Sequence, residues 1–450
     1  TRMLSFALSE LSGELHGPDV RFVGLSTDSR AIQPGSLFVA LRGERVDGHD
    51  FIAAARQAGA AGALVERVIA DPLPQLVVSS CEIALGMIAS RWRQQFSPTL
   101  IALTGSNGKT TVKNLLASIL REMGPTLATD GNFNNEIGVP LTLAKLNAEH
   151  RFAVIEMGAG KPGDIAYLAA LARPSIALVN NASAAHLERL GTLASVAQTK
   201  GAIYDTVALK IALLNRDDAF AHDWAVRAGT AQLSWFGLES PEPGDVSARD
   251  ITLGETTRFT LVTPLGDCAI EVPLEGLHNV RNALAASAAA MAAGASLEAI
   301  RLGLERAPKQ AGRLIRSHSP RGYALIDDSY NANPASLKAA IDTLSVSRAR
   351  LWLALGDMGE LGSEARMLHA ECGRYAQIHG VEKLFACGVQ SQAAVAAFGP
   401  GARHFESLNA LIEALDREIG AGVTLLVKGS RSAKMERVVL ALKQREAESC

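Results

Sequence analysis

The segment TLIALTGSNGKTTVKNLLASILREM, residues 99–123, decides the fold. It opens on a short apolar run, Thr99 to Leu103, that reads as a buried strand. A glycine turn follows from Gly105 to Gly108, and Thr110 to Met123 then reads as an amphipathic helix. Strand, turn and helix in that order begin a βαβ unit. The turn also carries chemistry, because glycines let backbone N–H groups at a helix N-terminus face an anion. Lys109 would add a point charge to the β- and γ-phosphates of a nucleotide, and the Thr110 hydroxyl suits a Mg²⁺ ion. The standard phosphate loop has four residues between its glycines, whereas Gly105 and Gly108 enclose two. A Gly-Asn turn with an ordinary surface lysine is the bland alternative. The coincidence of strand, GKTT and helix favours phosphate.

Working outward, Phe152 to Met157 and Ile176 to Asn180 are further buried-strand candidates, each followed by loop residues and a helix, which is the rhythm of a parallel sheet. Asp250 to Pro273 alternates apolar and polar residues and predicts antiparallel strands appended to that sheet. An Ala-rich helix from His278 closes the region, and Pro308 to Gly312 reads as a linker. Strand patterns restart at Ala324–Ile326, Leu351–Leu355, Lys383–Ala386 and Val423–Val427. Before residue 97 the texture is different, with dense turn signals, short strands at Leu37–Leu41 and Ala63–Val65, and a helix over Phe51–Ala58 stopped by Gly59. The expected fold class is therefore α/β in three domains. These are a small mixed α/β domain at 1–96, a central mostly parallel P-loop-type domain at 97–311, and a Rossmann-like α/β domain at 312–450.

Composition fits that size. The chain has 450 residues, 48% of them hydrophobic and 20% charged, enough apolar material for several cores. Lys plus Arg is 44 against 46 Asp plus Glu, a net charge of −2 that argues against a broad grip on nucleic acid or an anionic membrane. No apolar run reaches the ~18 residues of a membrane span. The five cysteines are scattered, with no CxxC pair, so neither a disulfide framework nor a structural zinc site is expected and a cytoplasmic location is.

Other segments compete for function. Gly158-Ala159-Gly160-Lys161-Pro162-Gly163 satisfies G-x-G-x-x-G directly after a strand, but Asn180-Asn181 stand where a dinucleotide site needs an acidic residue, and Pro162 lacks an N–H. Glu156 and the segment leading to His186 lie at carboxyl ends of strands, where open α/β sheets bind ligands. They could hold hard cations bridging phosphates; each is equally readable as a hydrogen-bonded structural residue. DGNFNNEIGVP at 130–140 is dense in Asn and Gly and reads as a plain loop or as amide ligand donors beside a phosphate site. Lys200 sits on an expected helix from Leu193 to Thr206, and pattern alone makes it a solvated lysine. DDSYNANP at 327–334 and KGSR at 428–431 follow strands of the last domain, as caps and turns or as a binding face.

STDSR at 26–30, LFVALRGERVDGHDF at 37–51, TGSNGKTT at 104–111, NFNNEIGVPLTL at 132–143, AHLERLG at 185–191, GLHNVRNALAA at 276–286, DDSYNANPAS at 327–336 and VKGSRS at 427–432 together resemble the Mur ligase family, the ATP-dependent amino-acid ligases of peptidoglycan precursor assembly. The resemblance spans essentially the whole chain. NFNNEIGVP with SYNANP points to the branch that joins D-alanyl-D-alanine to UDP-N-acetylmuramoyl-tripeptide, and the DNPR motif of the tripeptide-forming branch is absent. Two positions depart from the family pattern: Gly160 stands where a GAN segment has Asn, and Ala202 where KGE has Glu.

The resemblance implies residue roles. Gly105, Ser106, Asn107, Gly108, Lys109, Thr110 and Thr111 would hold the ATP phosphates, assisted by Asn135. Thr110 and Glu156 would surround one Mg²⁺, with His186 and Lys200 around a second, Lys200 matching the lysine that the family carbamylates. Lys109, Glu156, His186 and Lys200 would be the catalytic set. Asn282 would contact adenine, and Arg313, Asp328, Tyr330 and Asn331 the phosphates and ribose. Ser29 and Arg30 would hold the UDP end of the substrate, with Lys428, Ser430 and Arg431 near the incoming dipeptide. The implied domain roles are UDP-substrate binding, ATP binding, and a closing ligase domain, in a chain expected to be monomeric. A folylpolyglutamate-type amide ligase and a nucleotide-switch binding protein are the alternatives; GKTT and SYNANP speak against the first. The third residue of the accepted peptide, meso-diaminopimelate or lysine, stays open at this level.

Overall fold

A computed structural model describes residues 3–43, 45–183, 187–345 and 350–448. Its centre is a six-stranded parallel sheet in the spatial order Gln232–Phe236, Ile211–Asn215, Ile176–Val179, Thr99–Thr104, Phe152–Glu156, Thr126–Ala128. The continuous apolar character of Thr99–Thr104 has a direct cause, since Leu100 and Ala102 enter one core and Ile101 and Leu103 another, on opposite faces of the sheet. The helix Lys109–Arg121 covers one face with Val112, Leu115, Leu116 and Ile119. Alanines of the helix Leu277–Ala292 enter the same core. Small residues let these helices pack closely: a Cβ on Gly303 of the helix Leu297–Glu305 would lie 2.3 Å from the Ile119 Cα.

The antiparallel strands expected over Asp250–Pro273 exist as Ser247–Thr252, Thr257–Thr263 and Gly266–Val272, but they form their own three-stranded sheet rather than an extension of the parallel one. An isolated bridge between Phe236 and Val246 is where the chain passes from one sheet to the other. Phe259, Leu261, Ile270 and Val272 face the same core as the Ala-rich helix, so the alternation records packing on one side only.

The C-terminal sheet has six strands in the order Ile315–His318, Ala324–Asp328, Val423–Lys428, Arg350–Gly356, Val381–Cys387, Ala402–Phe405, parallel except for the first. Leu351, Leu353 and Leu355 pack on one face and Trp352 and Ala354 on the other. The N-terminal part carries a five-stranded mixed sheet (Glu14–His16, Gln75–Val77, Gly62–Val65, Leu37–Val39, Leu25–Ser26) and a separate pair, Ser5–Ala7 with Arg21–Val23. Trp92 docks it: the ring lies edge-on to Phe6 at 6.1 Å, and its Nε1 donates to the Leu146 carbonyl of the central unit at 2.8 Å. Among the described residues no helix is long and apolar enough to cross a membrane.

Candidate active site

Strand order in the central sheet reverses at Thr99–Thr104. Strands later in the chain lie on both sides of it, and such a switch point opens a crevice beyond the carboxyl ends of the strands. The glycine turn emerges there. Gly108 has φ 79°, and a Cβ on it would lie 2.2 Å from Asn282 Oδ1 and 2.6 Å from Asn180 Nδ2, so only glycine fits. Side-chain amides hold the turn. Asn107 N–H donates to Asn181 Oδ1 at 2.8 Å, and Asn180 Nδ2 donates to the Asn107 carbonyl at 2.9 Å and to Asn282 Oδ1 at 3.1 Å. Ser106 Oγ donates to the Ser183 carbonyl at 3.1 Å. Asn282 thus braces the turn from the Ala-rich helix.

A cavity of 1110 Å³ opens over this turn, between the central and C-terminal sheets. Every residue assigned above to ATP lines it except Gly105, whose carbonyl accepts from Lys109 Nζ at 2.7 Å. Burial lowers the Lys109 pKa, and the charge of Glu156 opposes that shift. Glu156 is itself buried: its Oε1 accepts from Asn134 Nδ2 at 2.7 Å and from Thr110 Oγ1 at 3.3 Å. Its Oε2 is buried without a hydrogen bond among the described residues, 3.7 Å from Lys113 Nζ. A buried carboxylate oxygen in that condition, beside a threonine hydroxyl, is a fitting donor for a hard cation. Among the described residues no group of three or more His, Cys, Asp or Glu side chains could hold a metal. His186 lies outside the described residues.

Lys200 is not the solvated lysine that pattern alone suggests; it is 1% exposed. Its helix, Leu193–Gly201, is capped by Thr192 and packs Val196 and Ala197 inward, which turns the lysine to the core side. Burial, reinforced by the positive charge of Lys109, pushes its amine well below the ordinary lysine range. The helix ends earlier than expected, passing into a 3₁₀ turn at Ala202–Asp205. Ala202 packs in the apolar core with Ile203 and Tyr204.

From the other side the C-terminal sheet presents Asp328 and Lys428, both buried and paired at 2.5 Å, with Lys428 Nζ also donating to the Asn331 carbonyl at 3.1 Å. Burial raises the Asp328 pKa and the adjacent ammonium opposes it. Arg313 stacks over the Tyr330 ring at 4.3 Å and reaches across to Thr110 Oγ1 at 3.0 Å. Asn333 Nδ2 makes a second crossing, to Asn107 Oδ1 at 2.7 Å. Lys428 therefore lines the cavity together with Asp328 and Asn331. Ser430 donates to the Asp357 carbonyl at 2.6 Å, and Arg431 is largely exposed, 5.9 Å from the Tyr330 ring; neither lines the cavity. Asn135 Oδ1 accepts from Gly138 N–H at 2.9 Å. Ser29 and Arg30 lie in the N-terminal part, outside the cavity, where Arg30 grips Asp28 at 2.7 Å and holds its carboxyl down at about 2.

The G-x-G-x-x-G match also lines the cavity, but the Gly160 and Lys161 N–H groups already donate to Asp164 Oδ2 at 2.8 and 2.9 Å, so they cannot cradle a pyrophosphate. Sequence reasoning did not name Lys113, Asn180 or Asn181 as site residues, and it reached Asn134 and Asn333 only through the segments 130–140 and 327–334. For the asparagines the available signal is their density at strand ends and loops, and Lys113 carries none.

The chain resembles known proteins over its whole length. Family models match as Mur ligase family, catalytic domain at 21–91, Mur ligase middle domain at 103–290, and Mur ligase, glutamate ligase domain at 312–431. The UDP-N-acetylmuramoyl-tripeptide–D-alanyl-D-alanine ligase of Escherichia coli is 43% identical, covering 98% of this chain and 99% of that protein. The crystal structure of MurF from Acinetobacter baumannii superposes with a TM-score of 0.90 at 35% identity, covering 99% of this chain and all of the other. MurF ligase from Thermotoga maritima in complex with ADP superposes at 0.82 with 25% identity, covering 95% and 98%. With family models matching its three parts and a 43% identical relative matched over nearly its whole length, the chain belongs to the Mur ligase family.

Proposed function

We propose that this chain joins D-alanyl-D-alanine to UDP-N-acetylmuramoyl-tripeptide at the expense of ATP, releasing ADP and phosphate and forming the pentapeptide precursor of peptidoglycan. The observation that carries the reading is the single cavity in which Lys109, Thr110 and Glu156 face Arg313, Asp328 and Lys428. The full-length relatives that bear the name of this reaction support it, and the ADP held by one of them supports ATP as the nucleotide.

The chemistry follows from the groups present. A carboxylate is a poor acylating agent, so it must first acquire a leaving group. The terminal carboxylate of the tripeptide attacks the γ-phosphorus of ATP; the P–O bond to ADP breaks and an acyl phosphate forms. Lys109 offsets charge on the transferring phosphoryl group, and the braced turn holds the phosphates without reorganisation. Thr110 and Glu156 would hold Mg²⁺, which when bound supplies further positive charge at the phosphates. The free amine of D-alanyl-D-alanine then attacks the acyl carbon, the tetrahedral intermediate expels phosphate, and the amine loses its proton. Arg313 and Asn333, reaching across to Thr110 and Asn107, close the cavity and help keep water from the acyl phosphate.

Lys200 is suited to carbamylation. Its depressed pKa raises the neutral share of the amine, and only a neutral amine attacks CO₂, forming an N–C bond and releasing a proton. The resulting carbamate is an oxygen ligand for a hard cation. We assign residues 1–96 to the UDP end of the substrate, 97–311 to ATP and 312–450 to closure and the dipeptide, in keeping with the coil at 307–312 between sheets. Four free cysteines among the described residues suit a reducing compartment, and the cytoplasm is the location we propose. The test is product analysis by mass spectrometry with ATP, Mg²⁺ and both substrates. Pentapeptide formed only when all are present is the expected result; ATP hydrolysis without pentapeptide would overturn the assignment.

A further inference from the structure

Arg189 and Lys161 line the cavity at the carboxyl ends of the strands Ile176–Val179 and Phe152–Glu156. Arg189 lies beside the Gly160 loop. Residue 160 is glycine, and a Cβ placed there would lie 3.5 Å from Arg189 Nη1, so the guanidinium rests against the bare backbone of the Gly160 loop. Asp164 fixes that loop by accepting from the N–H groups of residues 160 and 161. Its Oδ2 would lie 3.8 Å from the same Cβ, and Glu136 lines the cavity too. Cations and carboxylates thus line the cavity that Lys109, Thr110 and Glu156 also line.

Such a mixed-sign wall fits a zwitterion better than a single charge. The third residue of the tripeptide presents its α-carboxyl for reaction in this cavity, so its side chain has this wall within reach. A diaminopimelate side chain ends in a carboxylate beside an amine, whereas lysine ends in an amine alone. The geometry points to Arg189, seated over Gly160, as the specificity-determining residue that reads the distal carboxylate of a diaminopimelate-type third residue. This rests on the ligase reading above. Guanidinium forks bind carboxylates through two parallel N–H···O bonds, so the preference should be large and specific to arginine.

The experiment compares steady-state kinetics with UDP-N-acetylmuramoyl-tripeptides ending in meso-diaminopimelate or in lysine. The native enzyme should favour the first by about tenfold or more in kcat/KM. Arg189→Ala should raise KM for the diaminopimelate tripeptide by about tenfold, with kcat and the KM values for ATP and the lysine tripeptide unchanged. Arg189→Lys should recover part of the loss, since it keeps charge without the fork. Gly160→Asn should act in the same direction as Arg189→Ala, because a longer side chain displaces the guanidinium from its seat. Arg189 is exposed, so its variants keep their fold, which thermal melting checks. Equal use of the two tripeptides by the native enzyme, or equal effects of Arg189→Ala on both, would overturn the inference while leaving the ligase reading intact. Product from neither tripeptide would overturn the ligase reading itself.

Discussion

The central and C-terminal sheets each present loops at the carboxyl ends of parallel strands, yet they hold their site residues by different means. On the central edge the phosphate turn is braced mainly by neighbours within the same unit: Asn180, Asn181, Ser183 and Asn282 bond to residues 106–108 or to one another. On the C-terminal edge the site is a buried ion pair, Asp328 with Lys428, and two reaches across the cavity, from Arg313 and Asn333. One edge is preorganised by neutral hydrogen bonds and the other depends on charge and on contact with its counterpart. Changes on the central edge should therefore strike the chemical step. Changes on the C-terminal edge should weaken nucleotide binding and domain contact.

The largest effect falls on Lys109. Lys109→Ala should lower kcat for ligation by about 10³-fold while the melting temperature holds, because its amine bonds only one carbonyl of the turn. A kcat near normal would remove the central edge from the mechanism. Next comes Lys200→Ala, with a loss of about 10²-fold or more if the carbamate supplies an ion ligand. Short-chain carboxylic acids should partly restore the variant, and full activity without them would exclude the carbamate. The pH dependence has a definite sign. Because the folded pKa of Lys200 is depressed, the amine stays neutral and reactive through the ordinary lysine range and is lost to CO₂ only as pH falls through that depressed value. By the same linkage, burial of this amine makes the uncarbamylated protein gain stability as pH rises from the depressed pKa toward the unfolded one. A ¹³C-bicarbonate titration followed by NMR would check the first statement, and melting temperature against pH the second.

Asp328→Asn comes third. It leaves the Lys428 ammonium buried without its counter-charge, which should cost about 3 kcal/mol of stability and raise KM for ATP more than it lowers kcat. A fall in kcat alone would contradict the division between the two edges. The smallest effect belongs to Asn333→Ala, which removes one neutral bond across the cavity, worth about 1 kcal/mol. A several-fold rise in acceptor-independent ATP hydrolysis is expected, measured as phosphate release without D-alanyl-D-alanine.

What the sequence could tell divides along the same line. The turn at 104–111 was legible because its strand, glycines and helix are local features, and the strands near 99, 152 and 176 announced themselves as continuous apolar runs, whereas Ile211–Asn215, equally buried, was not read. The amide brace was not, since Asn180 and Asn282 meet residues 107–108 only through the tertiary fold. Asn180 and Asn181 entered the sequence reading merely as the wrong residues for a dinucleotide site. Lys200 was unreadable for a related reason: helix pattern does not say that its face turns inward, and only the packing of Val196 and Ala197 does. The pairing of Lys428 with Asp328 joins residues from two strand ends, so KGSR alone read only as a turn or a binding face. The departure at Gly160, visible in the sequence only as a gap in a pattern, gains meaning once Arg189 is seen to rest on it.

The most direct test of the account follows one oxygen atom. Tripeptide labelled with ¹⁸O in its reacting carboxylate should pass one labelled oxygen to each phosphate released during ligation, because the C–O bond to that oxygen breaks when the dipeptide amine attacks. Phosphate released without label would mean that water, not the carboxylate, attacks ATP, and the acyl phosphate at the centre of this account would be wrong.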